Sequence, residues 1–207
     1  MYNLRDLRKI QEDLRGRVVL EDGFSRIKTV AGVDVACFGN KACGACVVLD
    51  YETKDVIEEK NIISGINFPY IPTYLSFREF PVIERVIEKV ESEISVLMID
   101  GNGVLHPRGM GLASHAGVLL DLPTIGVAKS LLCGHPGRDV EDWVSEILLN
   151  ENRVGYAVAR RSKNPIYVSP GHKISFESSL EVVKRFLRYR IPEPLRLSHI
   201  LAGKFRI

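Results

Sequence analysis

Asp34 interrupts the apolar run TVAGVDVA (29–36), and Asp100 ends a second one, SVLMID (95–100). An ionised carboxylate inside a core is costly unless it is paired or bound to a metal. If the two runs are neighbouring strands, both carboxylates meet at one edge of a sheet, where open α/β sheets leave room for a ligand. Glu79, in LSFREFP, can supply a third carboxylate. Three carboxylates suit Mg²⁺, a hard cation that takes oxygen ligands, and a metal held this way can activate water against a phosphodiester. Each acid also has a plainer reading. Asp100 followed by Gly101 is ordinary turn punctuation, and Ser76-x-x-Glu79 is a capping-box pattern that opens a helix. Spacing alone does not choose between these alternatives.

Lys129 follows the apolar run PTIGVA in GVAKS, where an ammonium can contact a phosphate or steady an attacking water. The segment lacks the phosphate-binding G-x-x-x-x-G-K-[ST] pattern, and no G-x-S-x-G elbow occurs, so neither nucleotide hydrolysis of that type nor a serine triad is favoured. His106, in the loop LHPRG, is the better active-site histidine. His115 lies in a helix of small residues and reads as a satisfied core group or as one that supports the site residues from behind. Cys43-x-x-Cys46 falls in the strand ACGACVVLD, where residues three apart point to opposite faces, which opposes chelation by both.

The elements that must carry these residues follow from hydrophobic period. MYNLRDLRKIQEDLRGR is an amphipathic amino-terminal helix rather than a signal peptide. Three strands at 29–36, 42–50 and 55–63, joined by short polar links, suggest an antiparallel meander. A helix at 82–92, a strand at 95–100, a helix at 110–121 and a strand at 123–128 come next. The spacing predicts a helix around Trp143 within 140–149, a β pair at 154–160 and 165–169, a long helix at 175–190 and a short last helix after Pro192 and Pro194. This order predicts a single α/β domain over residues 1–207, a mixed sheet covered by helices. No apolar run approaches the ~20 residues of a membrane span, and a cytoplasmic monomer is expected. Charge is uneven. Residues 153–207 carry 12 Lys+Arg against 3 Asp+Glu, whereas residues 1–152 carry 16 against 23, a distribution that suits a polyanionic partner.

Six segments in order, AGVDVA (31–36), PYIPTYLSFRE (69–79), IDGNGVLHPRGMGLASHAG (99–117), GVAKS (126–130), SPGHKIS (169–175) and RIPEPLRLSH (190–199), resemble the endonuclease V family of deaminated-base repair nucleases. The resemblance implies a ribonuclease H-like fold: a mixed five-stranded sheet, antiparallel meander then parallel strands, flanked by helices. It implies Mg²⁺, with Mn²⁺ as a substitute, held by Asp34, Glu79 and Asp100, with His199 near a second metal position. It assigns His106 and Lys129 to phosphate and water, and Arg78 to ordering the site. Pro69, Tyr70, Ile71 and Pro72 resemble the family's wedge. Two prolines stiffen such a loop, and a tyrosine ring can replace the stacking lost by an extruded base. Thr73, Leu75 and Gly101 would wall the base pocket, although many relatives carry glycine where Thr73 stands. The implied partner is DNA containing hypoxanthine, cut at the second phosphodiester 3′ to the lesion to leave 3′-hydroxyl and 5′-phosphate ends; inosine-containing RNA is a close variant. Arg160, Arg161, Lys163, Lys173, Lys184 and Arg185 would supply sequence-independent phosphate contacts. The competing expectations are a ribonuclease H-like enzyme acting on hybrids or junctions, which needs no wedge, and a non-catalytic binding module, which needs no acidic triad.

Overall fold

A computed structural model describes residues 2–160 and 164–205. Arg161 and Lys163, two of the expected phosphate contacts, lie outside the described residues. The meander opens the sheet: β1 (Thr29–Phe38), β2 (Lys41–Asp50) and β3 (Val56–Gly65) pair antiparallel. β4 (Val96–Asp100) lies parallel to β1, with Ile99 opposite Val33, and β5 (Thr124–Ala128) lies parallel to β4. This is the expected five-strand unit, in the order β3-β2-β1-β4-β5.

The sheet continues beyond it. With β6 (His135–Glu141), β7 (Val144–Leu149), β8 (Asn152–Val158) and β9 (Ile166–His172), it reaches nine strands among the described residues, β9 joining antiparallel to β5 and β6 forming the far edge. The helix expected around Trp143 is absent. Trp143 instead occupies the two-residue turn between β6 and β7, since Glu141 pairs with Val144. Asn150 and Glu151 both take left-handed backbone, φ 50° and 61°, the turn geometry that matches strand twist in a two-residue hairpin. Val144 and Ile147 are buried on this segment. The β6 edge carries Pro136, and its pairing with β7 shifts register after Pro136 and again after Asp139.

Alternation along β1 and β4 divides the core between the two sheet faces. Val30 and Met98 pack with Leu180 and Phe186 of α4 (Phe176–Phe186) and Leu195 of α5 (Glu193–Gly203). Ala31, Leu97 and Ile99 pack with Phe80 and Ile83 of α2 (Leu75–Ile87) and with Leu112 and Ala116 of α3 (Leu112–Leu120). Cys43 and Cys46 fall in these two separate clusters, on opposite faces as the strand period requires. α2 begins seven residues before the expected 82, because Ser76, Phe80 and Ile83 already bury one helical stripe. α1 (Leu4–Arg15) packs beside α3 through Leu14, Met110 and Val118. No helix among the described residues is long and apolar enough to cross a membrane.

Candidate functional site

Parallel pairing of β1 with β4 puts Asp34 and Asp100 at the same end of the sheet. α5 reaches that end because position 32 is glycine. A Cβ there would lie 2.2 Å from the backbone carbonyl carbon of Pro194, so only glycine lets the helix backbone rest on β1. The approach sets His199 Nδ1 2.7 Å from Asp34 Oδ2. Asp34, Asp100 and His199 each offer one ligand atom, and these atoms lie within 4.8 Å of one another.

Glu79 stands on the second turn of α2 and is not part of that compact set. The Ser76-x-x-Glu79 capping box does not form: Tyr74 occupies the cap position without a side-chain bond, and Ser76 Oγ is buried with no partner among the described residues. The Glu79 carboxylate makes no hydrogen bond among the described residues. Burial first, and then the charges of Asp34 and Asp100, push its pKa up to about 8 against the pull of Arg78. Burial also raises the Asp100 carboxyl, opposed by Lys129, whose Nζ lies 2.5 Å from Asp100 Oδ2. Three mutually repelling carboxylates with one ammonium and one imidazole among them are short of positive charge. Such a donor set, oxygen-rich with one imidazole, fits a divalent cation.

A cavity of about 310 Å³ adjoins this cluster, and Asp100 and Lys129 form part of its wall. Thr73, Leu75, Gly101 and Leu112 line it, as do Ser76 and Asn102, whose Oδ1 is also buried and unpartnered. The structure thus brings the predicted pocket residues together with the acids. Tyr70 is on the lining and is 68% exposed; Pro69 and Pro72 are exposed beside it, and Ile71 is half-buried. Arg78 donates to the Phe68 carbonyl, which fixes the chain immediately before Pro69.

Gly103 explains part of the low side-chain bulk after Asp100. A Cβ there would meet the Pro170 carbonyl oxygen at 2.1 Å, so the loop lies flat on β9. His106 lines the same cavity as Asp100 and Lys129. It is 3% exposed, and both ring nitrogens are taken by loop backbone. Nδ1 accepts from the Arg108 N–H at 3.2 Å, which leaves Nε2 protonated to donate to the Thr73 carbonyl at 3.1 Å. Burial and the nearby Arg108 pull its pKa down to about 4. His115 is a core residue between Phe77 and Phe80, as read, but its Nδ1 lacks a partner.

The basic residues are less free than their count suggests. Lys173 pairs with Asp121, Lys184 with Glu141 and Glu181, and Arg185 with Glu52. Arg160 lies over the Trp143 ring. Sequence reasoning missed Gln11 and Arg108, which bind Thr73, the residue directly after the Pro69–Pro72 loop. Gln11 is fully buried on α1, four residues after Leu7 and three before Leu14; a polar residue on that stripe was the available signal.

A family profile described as Endonuclease V matches residues 12–200. The Endonuclease V of Dictyoglomus turgidum is 41% identical over 200 residues, covering 95% of this chain and 88% of the relative. The crystal structure of the Endonuclease V of Streptomyces avermitilis superposes with a TM-score of 0.91 at 34% identity, covering 99% of this chain and 93% of that one. A third, the Ciona intestinalis Endonuclease V in complex with a 24mer DNA containing an inosine followed by a ribo-adenosine, has a TM-score of 0.87 at 31% identity over 97% of this chain and 96% of that one.

Proposed function

Because the chain belongs to the endonuclease V family, we propose that it is a Mg²⁺-dependent, Mn²⁺-tolerant DNA repair nuclease that nicks strands containing hypoxanthine at the second phosphodiester 3′ to the lesion. The observation that carries this reading is the placement of an exposed Tyr70 and a cavity of about 310 Å³ directly against the acidic cluster. A base extruded from the duplex needs a pocket, and the gap it leaves needs an aromatic replacement.

Asp34, Asp100 and His199 would hold the cation, with Glu79 facing it from α2. Bound there, a divalent metal supplies Lewis acidity that lowers the pKa of an attacking water and offsets charge on the departing 3′ oxygen. Tyr70 enters the stack at the lesion while its prolines limit the loop's freedom. The cavity takes the displaced base, and Ser76 Oγ and Asn102 Oδ1 offer it a donor and an acceptor. The Lys129 ammonium, held by Asp100, provides positive charge for a phosphate oxygen. Arg78 orders the loop, and His106, on the cavity wall with Asp100 and Lys129, serves the phosphate and water while it is held by the Thr73 carbonyl. The same reading describes a cytoplasmic monomer with one domain.

The test is cleavage by the purified protein of matched single-inosine and undamaged DNA, as single strands and duplexes, with an inosine-RNA strand, an RNA–DNA hybrid and a four-way junction alongside. Inosine DNA should be nicked with Mg²⁺ and not with chelator, leaving 3′-hydroxyl and 5′-phosphate ends. Equal rates on inosine and undamaged DNA would remove the repair assignment, and preference for the hybrid or the junction would replace it with another ribonuclease H-like activity.

A further inference from the structure

Thr73, the residue directly after the Pro69–Pro72 loop, has a φ of 67°. A β-branched residue in the left-handed region is a true outlier, and such strain persists only where the surroundings enforce it. The enforcing groups are identifiable. Gln11 Nε2 donates to the Thr73 carbonyl at 3.0 Å, and Arg108 Nη2 donates to the same oxygen at 2.8 Å and contacts Thr73 Oγ1 at 2.7 Å. With His106, three side chains converge on one carbonyl that has two lone pairs. Gln11 and Arg108 are themselves tied, Arg108 Nε to Gln11 Oε1 at 2.7 Å, and Gln11 Nε2 also reaches the Met110 carbonyl at 3.3 Å. The Arg108 guanidinium lies 4.5 Å above the Tyr74 ring, the next residue along. Gln11 is 0% exposed, so its amide is a built-in part of this junction and not a surface contact.

We propose that Gln11 and Arg108 form a clamp that holds Thr73 in left-handed backbone and thereby sets the Pro69–Pro72 loop for base extrusion, making the amino-terminal helix a determinant of lesion discrimination. The link from clamp to discrimination rests on the repair function proposed above; the clamp itself does not. Both residues are positioning residues. Neither touches the carboxylates, and their effect reaches the nucleic acid only through the loop. Glycine at position 73 would adopt the same backbone without assistance, so the chain's threonine makes the clamp necessary.

This dependence gives a test that a general packing defect would not pass. Gln11→Met keeps the side-chain length and removes the donor and the acceptor. Hydrogen–deuterium exchange should quicken about tenfold or more in residues 69–76, the loss of one buried hydrogen-bonded junction, with β1 and β4 unchanged. In single-turnover nicking of an inosine duplex, the half-saturating enzyme concentration should rise about tenfold while the maximal rate changes less than about twofold. Adding Gln11→Met to Thr73→Gly should move both readouts less than about threefold from Thr73→Gly alone, because glycine removes the strain that the clamp opposes. Arg108→Lys, which keeps the charge but loses the forked donors, should behave like Gln11→Met. Unchanged exchange at 69–76 in Gln11→Met overturns the clamp. A loss from Gln11→Met as large in the Thr73→Gly background as in the wild type overturns it as well, and assigns Gln11 to packing alone. If the wild type itself shows no inosine preference, the repair reading falls, and the exchange measurements still judge the clamp.

Discussion

Replacing Gly32 with alanine asks how closely the cluster of Asp34, Asp100 and His199 depends on a single hydrogen atom. The new methyl would lie 2.2 Å from the Pro194 carbonyl carbon and 2.3 Å from its oxygen, whereas ordinary contact begins at 3.4 Å. The obstacle is backbone, so α5 must retreat by about 3.4 − 2.2 = 1.2 Å. A rigid retreat of that size takes His199 Nδ1 from 2.7 Å to as much as about 3.9 Å from Asp34 Oδ2, beyond hydrogen-bond range. Overpacking of this kind costs about 1–3 kcal/mol. Urea unfolding of Gly32→Ala should therefore show a loss in that range, with nicking reduced to the level of His199→Ala. His199 is largely exposed, so His199→Ala should keep wild-type stability within about 0.5 kcal/mol. The double variant should nick no more slowly than His199→Ala alone, since both act through one contact. Wild-type stability together with full nicking in Gly32→Ala would refute the account of how α5 is seated.

Asp34→Asn or Asp100→Asn should abolish nicking while retaining binding to inosine DNA in a gel-shift assay. Retained Mg²⁺-dependent nicking would count against the proposed metal site. Lys129→Met should lower the maximal nicking rate by about 10²–10³ through lost charge stabilisation, a drop that single-turnover kinetics will show. Glu79 predicts a stability signature without metal. Its folded pKa of about 8 lies above the ordinary 4.5, so the folded state binds the extra proton. The Glu79 contribution to stability is therefore fully present below pH 4.5 and is lost as pH rises toward 8, by up to about 1.4 kcal/mol per unit. Urea titrations in chelator should show this slope in the wild type and lose it in Glu79→Gln, and added Mg²⁺ should flatten it. Tyr70→Ala should weaken binding to inosine DNA by about 1–3 kcal/mol, the value of one stacked base, and leave binding to undamaged DNA unchanged; equal loss on both would make Tyr70 a packing residue.

Asp34 within β1 and Asp100 at the end of β4 were legible because a carboxylate in an apolar run stands out against hydrophobic period. The meander and the parallel strands were legible for the same reason. Strand β7 was not, because WVSEILL satisfies helical and strand spacing alike, and the Asn150–Glu151 turn that joins β7 to β8 lacks the usual glycine signal. His106 was legible only in part. Its loop position suggested a place at the site, and it does line the cavity beside Asp100, but the direction of its ring nitrogens depends on backbone groups of residues 73 and 108, which spacing cannot orient. The seating of α5 on Gly32 and the junction at Thr73 are contacts between segments distant in the chain. One sequence carries no mark of such meetings beyond an unexplained glycine or a glutamine on an apolar stripe.

The far border of the sheet has its own consequence. A neighbouring molecule trying to extend the ladder along β6 would find no amide hydrogen at Pro136. It would then lose alignment at the irregular steps after Pro136 and Asp139, and meet Arg138, Asp139 and Glu141 in quick succession. A strand so interrupted is a poor template for further pairing. The four added strands therefore enlarge the sheet and leave it with a blunted rim that discourages aggregation.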